Sequence, residues 1–169
     1  YFKEIIICDI SASLLEIAQK RINAMGIQDI ARVVEHDVTQ ASVLSVLPAA
    51  GTVDCITMSY SFSMIPDQKA AIANATKLLK KGGHVGIADF FLKGNYDDCL
   101  SPLFRRIRAA ESILHKNWFA LDHVHLLADK QLEGFDGLET VWDNRFRGAI
   151  PFMPFFQPYH GVYIMRKTK

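Results

Sequence analysis

The stretch Val53-Asp54-Cys55-Ile56-Thr57-Met58-Ser59-Tyr60-Ser61-Phe62-Ser63-Met64-Ile65-Pro66-Asp67 decides the fold. Its first part, Val53 to Ser59, is an apolar run that reads as a buried strand. Its second part, from Met58 onward, gathers hydroxyls, a phenol and two methionines where that strand gives way to its loop. In open α/β sheets, ligands settle in the crevice outside the carboxyl ends of the strands. The loop therefore reads as the floor of an active site. The plainer alternative is a serine-rich strand-to-helix connection.

Upstream and downstream the pattern alternates between strand and helix. Glu4 to Asp9 (EIIICD) is a continuous apolar strand, as expected of a parallel strand covered on both faces. Ser11 or Ser13 caps the helix that follows, Ser13 with Glu16 fitting a capping box. Leu14, Ala18, Ile22 and Met25 form its apolar stripe, and Gly26 ends it. Ala31 to Asp37 is a second strand, and a short helical turn over Ala41 to Leu47 leads to the third strand, Val53 to Ser59. Pro66 suits the first turn of a helix that runs to about Lys80 and stops at Gly82-Gly83. His84 to Phe90 (HVGIADF) is the fourth strand. Such alternation argues for right-handed βαβ units on a parallel sheet.

The last third differs. Pro102 to Phe119 reads as an amphipathic helix with Leu103, Ile107, Ala110, Leu114 and Trp118 on one stripe, and Asp122 as the cap of a helix reaching about Leu132. Two β-rich runs follow, Leu138 to Phe146 and Tyr159 to Arg166, joined by the apolar, proline-rich loop Gly148 to Pro158. A sheet that begins parallel and ends in two strands with no helix between them has an antiparallel last strand. That favours the class I methyltransferase arrangement over a dinucleotide dehydrogenase, whose glycine fingerprint is also not seen.

With 169 residues, half of them apolar, the chain is one domain with a substantial core. A net charge of +1 gives no electrostatic case for a nucleic-acid partner. The three cysteines lack metal-ligand spacing; Cys8 and Cys55 lie in apolar runs and read as buried free thiols, which favours a reducing compartment. No apolar run approaches the roughly 20 residues that span a bilayer, and no signal peptide is visible. Because the chain opens at Tyr1 and enters a strand almost at once, it reads as a fragment of something longer.

Two carboxylates take on meaning in this frame. Asp9 closes the first strand and Asp37 the second. An ionised carboxylate offers only acceptors and suits the two hydroxyls of a ribose. A second one, a strand away, suits an exocyclic amine, with Ile10 and Val38 sandwiching an adenine ring. Either Asp would alone be explained as a cap. His123 and His125 lack a third ligand of suitable spacing for a metal. Asp89, ending the fourth strand, fits a turn former and a substrate contact equally.

The order CDIS, EHD, VDCITMSYSFSMIPD, LLKKGGHVGIADF resembles class I S-adenosylmethionine-dependent methyltransferases. The strings MSYSFSMIPD, DFF, NWFALDHVHLL and PYHGVYI look like the methyltransferase part of betaine-lipid synthase, over nearly the whole chain. The resemblance implies an α/β, Rossmann-like, mostly parallel sheet with an antiparallel last strand and helices on both faces. It implies S-adenosylmethionine as cofactor, held by Asp9, Ile10, Asp37, Val38, Ser59 and Tyr60, and methylation of the amine of diacylglyceryl-homoserine. Tyr60 is the expected residue for orienting that amine. Ser61, Asp89, Trp118, Phe119, His125 and Tyr159 are the expected substrate contacts, several of them as aromatic faces for a quaternary ammonium. The family's first strand and glycine-rich loop would precede Tyr1. A lipid substrate, a homoserine-transferring partner domain or protein, and peripheral contact with the cytoplasmic side of a membrane (the endoplasmic reticulum in a eukaryote) complete the expectation. Arg105, Arg106, Arg108 and Lys116 flank the stripe of the 102–119 helix, and the 150–156 loop is apolar enough to cover an acyl chain. A methyltransferase for another small apolar acceptor, such as a quinone precursor, and a non-catalytic remnant of the fold are the alternatives.

Overall fold

A computed structural model describes residues 2–95, 99–121, 123–148 and 157–169. Among them run β1 (Ile5–Asp9), α1 (Ala12–Met25), β2 (Ala31–Glu35), β3 (Val53–Ser59), α2 (Gln68–Leu78), β4 (Leu79–Phe91), α3 (Pro102–Ala120), β5 (Leu138–Arg147) and β6 (Tyr159–Lys167), with short 3-10 turns at Ala41–Ser45, Phe62–Met64 and Asp129–Gln131. The strands form a parallel pair, β1 with β2, and a four-stranded sheet in the order β3-β4-β6-β5. β3 and β4 are parallel, and β6 runs antiparallel to both of its neighbours. The α/β class and the antiparallel last strand therefore stand as the sequence implies. The sheet itself is divided, however, since neither β1 nor β3 pairs on its second edge among the described residues. Lys3 is close enough to Asp54 to help lower its pKa, after the stronger effect of Lys80, so β1 and β3 begin near one another.

Local signals explain most boundaries. Ser11, not Ser13, caps α1 by accepting the amide of Leu14, and Gly26 closes it with a left-handed φ of 67°. The buried residues of α1 are Leu15 and Ile22, whereas Leu14 and Met25 of the expected stripe are exposed. α2 stops at Leu78, earlier than expected, because Leu79 already pairs with Val53. The pairing resumes at Cys55 with His84, so residues 80–83 form a bulge within β4 rather than a helix end. A Cβ on Gly83 would stand 2.9 Å from the carbonyl oxygen of Lys80 and 3.1 Å from those of Val53 and Asp54, which is why glycine occupies this close approach.

β4 alternates strictly, with Val85, Ile87, Asp89 and Phe91 fully buried and their neighbours half-buried. The buried face joins Met58, Phe62, Ile72, Leu127, Leu132, Tyr159, Tyr163 and Met165 in the core. Three expectations fail here. Residues 123–132 hold no helix apart from the Asp129–Gln131 turn; Leu127 instead bridges Phe91 beside β4. β3 is not buried on both faces, and Cys55 is exposed. Cys8 is half-buried, its thiol donates to the His36 carbonyl at 3.6 Å, and its pKa is raised by burial and then by Asp9 and Asp37 nearby. The 150–156 loop and the Asp122 cap lie outside the described residues.

Candidate active site

The carboxyl ends of the parallel strands carry two groups of side chains. The first lies where β1 and β2 end. The amide of His36 donates to the Asp9 carbonyl at 3.0 Å, so the pairing brings Asp9 and Asp37 to one end of the pair. Asp9 accepts the Ser11 amide on Oδ1 at 2.8 Å, and its other oxygen takes no hydrogen bond among the described residues. Asp37 accepts the Thr39 amide at 2.8 Å and the Thr39 hydroxyl at 2.7 Å, and those bonds pull its pKa down. Ile10 is 71% exposed, an apolar surface beside an acceptor-rich edge. Val38 is pinned from behind, because Asn74 of α2 donates to its carbonyl at 3.0 Å and to that of Gln40 at 3.2 Å.

The second group grows from the end of β3. The Tyr60 amide donates to the Ala88 carbonyl at 2.7 Å, extending the β3–β4 pairing by one residue. Tyr60 then takes a φ of 49°, a left-handed region that bulky non-glycine residues enter only at an energetic cost met by the surrounding structure. The chain turns sharply there into the Phe62–Met64 turn. The Tyr60 ring lies 5.1 Å from Phe90, which lies 4.6 Å from Phe119 of α3. The Tyr60 hydroxyl stands 3.3 Å from His160 Nδ1, and the His160 ring packs edge-on to Phe146 at 4.4 Å. Tyr60, Phe90, Phe119, His160 and Phe146 thus form a continuous aromatic surface, called the aromatic bay below. Burial lowers the His160 pKa, so the imidazole is neutral near pH 7.

Two expected substrate contacts belong elsewhere. Asp89 is 0% exposed; its Oδ2 accepts the Ser63 amide at 2.9 Å and its Oδ1 the Phe90 amide at 2.8 Å. It is the turn former of the pair of readings, anchoring the loop that carries Tyr60. Tyr159 is buried in the core, with the Arg147 guanidinium 5.9 Å over its ring. Both placements have one cause. Side chains alternate across a strand, so the residue one place along faces the opposite way. Phe90 and His160, directly paired across β4 and β6, face the bay, whereas their neighbours Asp89 and Tyr159 face the core. Counting alternation from Val85 and Ile87 would have found Phe90. Of the other expected contacts, Phe119 joins the bay, Ser61 is half-buried in the loop, and His125 lies beside it through its amide, which donates to the Ser63 carbonyl at 3.2 Å. Ser59 and Trp118 are exposed.

The acceptor set at these strand ends fits the ribose hydroxyls and the adenine amine of S-adenosylmethionine. Asp9 has an uncommitted carboxylate oxygen, Asp37 stands one strand over, and Ile10 presents apolar surface between water and the strand ends. Residues 1–85 match the model of the family described as "Methyltransferase domain", a span that includes Asp9, Asp37 and Tyr60. No curated protein matches the chain by sequence. Among solved structures, the YcgJ protein from Bacillus subtilis is similar with a TM-score of 0.66 at 13% identity, over 100% of this chain and 84% of that one. A SAM-dependent methyltransferase from Methanosarcina mazei is similar with a TM-score of 0.64 at 15% identity, over 98% and 82%. At such identities the likeness speaks for the fold, and the family model carries the chemistry. With more than half of its length matched and its strand-end acids in place, the chain belongs to the methyltransferase-domain family and is a methyltransferase that uses S-adenosylmethionine.

Proposed function

We propose that the chain methylates the amine of diacylglyceryl-homoserine in betaine-lipid synthesis. The observation that carries the reading is the aromatic bay at the end of β3, where Tyr60, Phe90 and Phe119 follow one another at 5.1 and 4.6 Å. A product bearing three N-methyl groups is a cation without hydrogen-bond donors, and aromatic faces are the surface that attracts it. S-Adenosylmethionine supplies the activated methyl group, so the protein's part is alignment, desolvation and proton handling. Asp9 and Asp37 hold the ribose and adenine edges. Tyr60, held by the hydrogen bond from its amide to the Ala88 carbonyl, offers a phenol oxygen that accepts an N–H of the primary and then of the monomethyl amine and orients the lone pair. The ammonium left by each of these two transfers gives its proton to water, and the dimethyl amine, which has no N–H, is placed against the rings for the third. An amine laid against these rings loses part of its water, which favours its neutral, nucleophilic form.

α3 supports a lipid acceptor. Its stripe of Leu103, Ile107, Leu114 and Trp118 is exposed, with Leu114 at 68%, and Arg105, Arg106 and Lys116 around it are exposed too. The one acidic residue of the helix, Glu111, is taken up by Arg108 at 2.7 Å and Arg147 at 3.1 Å. A basic amphipathic helix of this kind lies on anionic bilayers, its apolar side in the headgroup boundary. On this reading the chain works at the cytoplasmic side of a membrane, which is the endoplasmic reticulum in a eukaryote. A homoserine-transferring domain or protein supplies its acceptor. No helix among the described residues is long and apolar enough to cross a membrane.

The test is methyl transfer from radiolabelled S-adenosylmethionine to diacylglyceryl-homoserine in mixed micelles, beside a quinone precursor. Label in a lipid that migrates as the trimethylated product supports the proposal. Label in the quinone precursor alone overturns it.

A further inference from the structure

His160 stands at the point where β6 enters the sheet, opposite Phe90 of β4. Its surroundings are built around the ring. Phe146 of β5 packs edge-on against it, and a Cβ on Gly148 would stand 2.9 Å from both its Cε1 and its Nε2, so glycine at 148 leaves the ring its place. The Gly148 amide is in turn held by the Pro158 carbonyl at 2.9 Å. The next residue, Gly161, is equally constrained, since a Cβ there would stand 2.3 Å from the Asn144 carbonyl oxygen. The imidazole is thereby fixed with Nδ1 3.3 Å from the Tyr60 hydroxyl, a residue 100 positions away in the chain. Burial alone lowers its pKa, with no contribution from a charged neighbour.

A neutral imidazole carries one N–H, and which nitrogen holds it decides the direction of the bond to Tyr60. With the hydrogen on Nε2, Nδ1 accepts the phenolic O–H. The phenol oxygen then turns both lone pairs toward the bay, where an amine N–H would meet them. With the hydrogen on Nδ1, one lone pair is consumed by His160 and the phenolic hydrogen points at the amine instead, which repels its N–H groups.

We propose that His160 is a positioning residue for Tyr60: its Nδ1 accepts the phenolic hydrogen and so holds the Tyr60 oxygen as an acceptor for the substrate amine. This rests on the amine-methylating reading of the site. The experiment has two arms. The first is the nitrogen-15 spectrum of the protein's imidazoles near pH 7.5, with the His160 signals identified by their loss in His160→Asn. The Nε2–H tautomer is expected, and an Nδ1–H tautomer or an imidazolium overturns the inference. The second is a kcat cycle of His160→Phe, Tyr60→Phe and the double variant on the acceptor that the protein methylates. His160→Phe keeps ring packing and removes the acceptor nitrogen, so kcat falls about three- to ten-fold, the worth of one ordinary hydrogen bond. In the Tyr60→Phe background the same change has no further effect. His160→Asn, whose side-chain oxygen sits near the position of Nδ1, restores kcat to within about two-fold of the parent. Undiminished loss in the double variant, or failure of His160→Asn to restore activity, also overturns it. The tautomer needs no acceptor. If diacylglyceryl-homoserine is not methylated while the Nε2–H tautomer is found, the proposed function fails and the pair stands. If the lipid is methylated and the tautomer is Nδ1–H, the inference alone fails.

Discussion

Replacing Asp89 separates an anchor from a substrate contact. Its carboxylate is 0% exposed and accepts two backbone amides, Ser63 at 2.9 Å and Phe90 at 2.8 Å. Hydrogen bonds to a charged group contribute about 1.5–3 kcal/mol each. Asp89→Ala removes both and leaves two donors in a dry environment. Against this, removing the carboxylate relieves its own burial cost. The net expectation is a loss of about 2–4 kcal/mol. For a chain of 169 residues that lowers Tm by roughly 5–15 °C. Asp89→Asn retains one acceptor oxygen but turns its NH2 toward the other amide, so it recovers at most about half of the loss. Thermal and urea unfolding of parent, Ala and Asn variants reads this directly. The reasoning also says where the damage goes. Released at Ser63, the loop no longer holds Tyr60 at its positive φ, so kcat falls together with stability. A variant with an unchanged Tm and a raised acceptor KM would refute it, because that is the pattern of a side chain that touches substrate.

The remaining predictions concern charge. His115 and His160 both have lowered pKa values, chiefly through burial, so each takes up its proton at a lower pH when folded than when unfolded. The unfolded chain takes up their protons first, near pH 6.5; stability is therefore level above that pH and declines as pH falls through it. Urea midpoints at pH 7.5 and 5.5 check the sign, and a higher midpoint at 5.5 contradicts it. Asp129 has its pKa lowered by its hydrogen bond to Arg145, a stabilisation present above about pH 4 and lost below it. Arg145 is 7% exposed, bonded to Asp129, forked onto Asp143 at 2.7 and 2.8 Å, and set 4.8 Å over Phe91. Arg145→Ala should cost about 2–4 kcal/mol in urea unfolding, the lower end because Asp129 can turn to water. A change under about 0.5 kcal/mol, the size of an ordinary surface substitution, would contradict that.

The parts of the fold legible in the sequence are those set by local chemistry. Ser11 and Gly26 mark the ends of α1 through a hydroxyl and a left-handed glycine, whereas at α2 the expected start at Pro66 gives way to Asp67, whose carboxylate caps the helix by accepting the Ala70 amide at 2.9 Å. The strands were legible as apolar runs, and the antiparallel ending followed from the absence of a helix between β5 and β6. What the sequence hid was set by pairing. The 80–83 bulge exists because Val53 pairs with Leu79 and Cys55 with His84, a shift with no signature in residue type. Burial of β3 was overestimated because an apolar run does not say whether both faces or both edges will be covered. That Asp9, Asp37 and Tyr60 stand at the carboxyl ends of strands was readable, because strand ends and acidic residues are visible in one dimension. Phe90 and His160 were passed over for their neighbours, since which face a residue takes is decided by register. The Tyr60–His160 contact joins residues 100 positions apart, and no local pattern announces it.

The central claim is that the strand-end carboxylates hold S-adenosylmethionine, and calorimetric titration with S-adenosylhomocysteine tests it most directly, beside Asp9→Ala. Two hydroxyl-to-carboxylate bonds of about 1.5–3 kcal/mol each predict binding that weakens by about a hundred-fold or more in the variant. Equal affinity in the two proteins, or no binding by the folded parent, would contradict the account.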